Sequence, residues 1–105
     1  MENNYQLRFT QIANDDLDGI YLYISEHLFA PKAANDLMDD IETLIMRLRD
    51  FPCSGSLVAD DILNRRGYRK LIVKNYIVFY LINEAEKQAV IMRVLYGAQQ
   101  YENLL

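Results

Sequence analysis

The 105 residues suffice for one domain and one core, and 51% hydrophobic with 25% charged residues is ordinary globular composition, which excludes disorder, collagen-like repeats and coiled coil. A net charge of −4 argues against indiscriminate nucleic-acid binding, because attraction to phosphate scales with the cations presented. That average hides an asymmetry: residues 1–52 carry ten acids against four bases, whereas residues 53–105 carry five acids against seven bases.

No apolar run reaches the roughly 20 residues of a membrane span, and Met1-Glu2-Asn3-Asn4 lacks the basic and apolar regions of a signal peptide, so a cytosolic protein without membrane association is expected. Cys53 is the single cysteine; it reads as a small loop residue after Pro52, with no disulfide and no structural zinc.

Tyr5-Gln6-Leu7-Arg8-Phe9-Thr10 alternates apolar and polar residues and predicts a first strand. Asn14 offers an N-cap, Asp15 and Asp16 place charge in a first turn, and Leu17, Ile20, Tyr21, Ile24 and Leu28 follow at helical spacing. Pro31 opens a second helix, whose stripe runs Ala34, Leu37, Met38, Ile41, Leu44, Ile45 and Leu48. Asp36, Asp39, Asp40 and Glu42 lie off the stripe and read as a solvated acidic face; acid pairs suit a hard metal, but nothing else supports one.

Phe51-Pro52 ends that helix. A polar loop from Cys53 to about Gly67 follows, with room for one helical turn at Ala59–Leu63. Three strands are then predicted at Tyr68–Lys74, Tyr76–Ile82 and Gln88–Tyr96, joined by tight antiparallel connections. Tyr76–Ile82 is apolar throughout, as a strand buried on both faces would be. After Gly97, Tyr101, Leu104 and Leu105 can pack a short helical tail.

These elements predict an α+β fold: an N-terminal strand and a two-helix hairpin laid on one face of a mainly antiparallel four-stranded sheet, with a short C-terminal helical tail, in one domain over 1–105. On the third run, strict alternation puts Ile91, Arg93 and Leu95 on one side and Val90, Met92, Val94 and Tyr96 on the other. Cations are thus interleaved with apolar and aromatic side chains, and a basic surface on the second half is expected.

Gly67-Tyr68-Arg69-Lys70-Leu71-Ile72-Val73, Asn75-Tyr76-Ile77-Val78-Phe79-Tyr80 and Ile91-Met92-Arg93-Val94-Leu95-Tyr96-Gly97, with Ala13, Asp16-Leu17, Ile20, Tyr23-Ile24, Pro52 and Gly55 ahead of them, resemble the RelE/ParE toxin family over nearly the whole chain. The resemblance implies the toxin of a bacterial type II toxin–antitoxin pair, of the plasmid-stabilisation type, neutralised by a cognate antitoxin that wraps an extended or helical segment around it. A dimer or a toxin–antitoxin hetero-oligomer is compatible with it. Two targets are known among such toxins: messenger RNA on the ribosome, which is cut, and DNA gyrase, which is poisoned. Fold likeness does not choose between them.

Cutting RNA through its own 2′-hydroxyl needs a base, cations for the developing phosphorane charge, an acid for the leaving oxygen and a surface on which bases stack. For an endoribonuclease (mRNA interferase), the candidates are Arg69 and Arg93 for phosphate, Lys70 or Tyr101 for proton transfer, and Arg65, Arg66, Lys74 and Tyr76 for RNA binding, with Tyr68 and Tyr96 as further aromatics; no cofactor or metal is called for. Each also has a plain reading: Arg69, Lys70 and Lys74 as an exposed sheet face, Arg93 as a half-buried cation paired with an acid, Tyr101 as a tail anchor.

Two departures weigh against cleavage. RNA-cutting relatives tend to carry arginine after the tyrosine that opens the central strand, here Ile77, and basic residues after the closing glycine, here Ala98-Gln99-Gln100. His27 suits a helix C-terminus, and no serine or cysteine triad or Gly-rich phosphate loop is present. The alternatives to a nuclease are a non-enzymatic gyrase poison and a catalytically inactive member that only binds antitoxin.

Overall fold

A computed structural model describes residues 4–97 and 104–105. The chain runs β1 (Gln6–Phe9), α1 (Gln11–Leu22) with a wide π turn (Tyr23–His27), α2 (Pro31–Met46) with a closing 3-10 turn (Arg47–Arg49), β2 (Ser56–Leu57), α3 (Asp61–Arg65), β3 (Arg69–Val73), β4 (Tyr76–Asn83) and β5 (Gln88–Tyr96). The α+β architecture is as expected. The sheet, however, has five strands rather than four, in the order β1-β5-β4-β3-β2.

The strand missed in the sequence is β2, two residues long and paired antiparallel with Arg69 and Lys70 of β3. Two residues cannot show a period, so the Cys53–Gly67 stretch reads as loop throughout. The helical turn in that stretch is real but begins at Asp61, because the Asp60 side chain accepts from the Ile62 and Leu63 N–H groups and caps it there. The first helix starts earlier than Asn14 for the same kind of reason: Thr10 Oγ1 accepts from Ala13 N–H, so Thr10 is the cap.

β1 pairs in parallel with the first half of β5, Gln6 beside Gln88 through Phe9 beside Ile91. β3, β4 and β5 form the antiparallel meander. The hairpin α1–α2 covers one sheet face, and Leu37, Ile41, Ile45 and Leu48 meet Leu71, Val73, Val78, Tyr80, Ala89, Ile91 and Val94 in the main core. The opposite face is covered as well: Val58, Leu63 and Tyr68 pack on Phe79 and Leu95, with Leu105 against them. β4 is therefore buried on both sides, as its unbroken apolar run implies.

Strict alternation fails on β5. Phe79 pairs with Arg93 but Tyr80 pairs with Ile91, so Met92 is an extra residue, a β-bulge. The phase shifts there. Ile91 and Val94 face the main core while Leu95 joins the second cluster, whereas alternation puts Ile91 with Leu95 and Val94 opposite. The helical tail expected after Gly97 lies, apart from Leu104 and Leu105, outside the described residues.

Candidate functional site: a groove beside the free edge of β5

β1 ends at Phe9, opposite Ile91, so β5 beyond that point is an edge strand. Thr10 continues the junction, its N–H donating to the Ile91 carbonyl and its hydroxyl to the Met92 carbonyl. Six residues further along, Asp16 takes over. Its carboxylate accepts from the Val94 N–H at 3.0 Å and from Arg93 Nε and Nη2 at 2.8 and 2.9 Å. This is a fork-to-fork pairing held in place by a backbone donor. Hydrogen bonding to Asp16 raises Arg93 above the usual arginine range, against the opposing effect of burial. Arg93 Nη1 also donates to the Leu104 carbonyl.

Between this edge and α1 lies a groove of about 960 Å³, with Ile20, Ile24 and Leu37 on one wall and Lys74, Tyr76 and Tyr96 on the other. Leu104 enters it from the C-terminus. Tyr76 and Tyr96 meet edge-to-face at 5.7 Å between ring centres. Burial, then the nearby Tyr23 and Tyr96, push the Tyr76 hydroxyl up from its ordinary value.

The groove brings together Lys74, Tyr76 and Arg93 of the residues singled out from the sequence. Two of these cations are neutralised: Arg93 by Asp16, and Lys74 by Asp40 at 3.1 Å. Asp40, read from the sequence as solvated, thus has an ionic partner, though an exposed one of small energetic weight.

The other candidates lie elsewhere. Arg69 stands opposite Tyr80 and donates to the carbonyls of Gly55 and Cys53, which fixes the loop before β2. Lys70 pairs with Phe79 and so points to the opposite face from Arg69. Arg65 and Arg66 end α3, exposed and away from the groove. Tyr68 is buried in the second cluster and offers no stacking surface. Tyr101 and Ala98-Gln99-Gln100 lie outside the described residues.

The register thus puts Lys70 and Arg93 on one sheet face, either side of Phe79, and Arg69 on the other, while Asp16 and Asp40 neutralise Arg93 and Lys74. Sequence reasoning missed Asp16. It sits where a first-turn acid was expected, and only the pairing of α1 with the β5 edge gives it a partner 77 residues away.

The family model for the ParE toxin of the type II toxin–antitoxin system parDE matches residues 7–101. The chain belongs to the ParE toxin family. Among solved structures, this ParE chain is similar to one in the chromosomal ParDE toxin–antitoxin system from P. aeruginosa, at 22% identity over 90% of this chain and 98% of that chain, with a TM-score of 0.72. It is also similar to a chain of the RelBE2 toxin–antitoxin complex from Mycobacterium tuberculosis, at 23% identity over 91% and 94%, with a TM-score of 0.61. At these identities the likeness concerns the fold. No curated protein matches the sequence significantly. The protein is thus a type II toxin of the ParE/RelE kind. No helix of the described residues is long and apolar enough to cross a membrane.

Proposed function

We propose that this ParE-family toxin arrests growth by binding a protein, DNA gyrase, rather than by cutting messenger RNA. The observation that carries this reading is the pairing of Asp16 with Arg93: the arginine that lines the groove together with Tyr76 and Tyr96 is already engaged by a carboxylate of the same chain. A scissile phosphate there would meet Asp16 as well as Arg93, and would have to break two charge-assisted hydrogen bonds. Ile77, in place of an arginine, adds no charge. A cognate antitoxin covering the groove accounts for its apolar walls in a protein that must be held inactive until released.

The nuclease reading keeps one observation in its favour: Lys70, Arg65 and Arg66 have no carboxylate partner within 4.0 Å among the described residues. In that reading Arg69, Lys70, Arg93 and Tyr101 remain the catalytic set.

Induced expression followed by two measurements separates the readings. Loss of plasmid supercoiling by purified gyrase, with intact messages, is expected. New messenger ends at fixed codon positions in translating ribosomes, with gyrase unaffected, would overturn the protein-target reading.

A further inference from the structure

Leu104 lies in the groove between α1 and the β5 edge, and its carbonyl accepts from Arg93 Nη1 at 3.1 Å. Leu105 packs on the second cluster, which holds Phe79 and Leu95. Asp16 engages Nε and Nη2 of the same guanidinium, so the plane of that group is fixed and Nη1 is left to donate to a backbone carbonyl. An apolar wall beside a fixed donor is the chemistry that holds one aliphatic residue of a polypeptide: the buried side chain supplies affinity and the donor sets the position.

Leu104 covers only one end of the groove. It stays 41% exposed, and Tyr23, Leu28 and Tyr96 on the walls stay 51%, 54% and 48% exposed. In about 960 Å³ a single leucine leaves room for a longer segment. A segment that makes the Leu104 contact and also covers these walls buries more apolar area and displaces it. A strand added along β5 would need the Val94 N–H, which Asp16 already takes, so the entering segment is read by its side chains and one carbonyl rather than by a backbone ladder.

We infer that Leu104 holds, in the free toxin, the place that an aliphatic side chain of the antitoxin takes in the complex, with the carbonyl of that antitoxin residue on Arg93 Nη1. Leu104 and the antitoxin therefore compete for one position. This rests on the reading above that the antitoxin covers the groove, and it names the residue type inserted there and the internal group it displaces.

Leu104→Ala removes the competing side chain and leaves Leu105 on its cluster, so the variant should fold as the parent. Titrated with the cognate antitoxin, it should bind about threefold to tenfold more tightly than the parent, because the groove no longer has to be vacated. In the parent, the Leu104 methyl resonances should move to random-coil positions when the antitoxin is added. Equal or weaker antitoxin binding by Leu104→Ala overturns the inference, as do Leu104 methyls that keep their free-toxin positions in the complex. Hydrogen exchange separates this from the reading beneath it. If the amides of residues 16–24 gain no protection in the parent complex, the antitoxin lies elsewhere and both readings fall. Should they gain protection while Leu104→Ala binds no tighter, the groove reading stands and only the competition is overturned.

Discussion

Asp16 and Arg93, 77 residues apart, form a two-pronged ion pair whose carboxylate also receives the Val94 N–H, so one side chain ties α1 to the edge of the sheet that β1 leaves open. The side chains are 14% and 20% exposed, which places the pair between a surface bridge and a fully buried one.

Asp16→Ala leaves a half-buried guanidinium without its carboxylate and the Val94 N–H without its acceptor, and is expected to cost about 2–3 kcal/mol. Arg93→Met, which retains the stem and leaves Asp16 on the backbone, should cost less. A double-mutant cycle by urea denaturation should return a coupling of about 1–3 kcal/mol. A coupling near zero would show that the pair contributes nothing beyond its separate parts.

Tyr80 is fully buried, and its hydroxyl donates to the Pro52 carbonyl at 2.7 Å while accepting from the Gly55 N–H at 3.0 Å. Burial pushes this hydroxyl up from its ordinary value of 10.0, against the opposing pull of the Gly55 N–H and the Arg69 guanidinium. The native state thus holds the proton at a pH where the unfolded chain releases it. The contribution is fully present below about pH 10 and is lost as pH rises above it, at a slope of at most about 1.4 kcal/mol per pH unit. Tyr76 shifts the same way and adds to the alkaline loss. Stability measured from pH 8 to 11 should therefore fall less steeply in Tyr80→Phe than in the parent, and a parallel pair of curves would contradict the assignment.

A methyl group at Gly55 would lie 2.5 Å from the Lys70 carbonyl oxygen and 2.7 Å from the Tyr80 hydroxyl. The carbonyl belongs to a strand and cannot yield without disturbing β2–β3 pairing. Gly55→Ala is expected to destabilise by about 1–3 kcal/mol, and in a thermal scan this appears as a midpoint lowered by several degrees. Gly67→Ala, with open space but φ +86°, should lose less, because only backbone strain opposes it.

Periodicity and turn chemistry are local, and they were enough for the α+β class, the helix from Pro31 onward and the doubly buried β4; the likeness to RelE/ParE toxins rests on the residues of the strands themselves. The start of α1 and the two-residue β2 were not legible: the first depended on which of two cap residues wins, and the second is too short to carry a pattern. The candidate site was harder. Arg69, Lys70, Lys74 and Arg93 are close in a list of strand residues, but the pleat of β3 sends Arg69 and Lys70 to opposite faces, and only the register puts Lys70 and Arg93 on either side of Phe79. Asp16 and Asp40 then neutralise two of them from helices distant in sequence. Side-chain direction and charge pairing depend on which elements become neighbours, and that was decided only when the helices closed over the sheet.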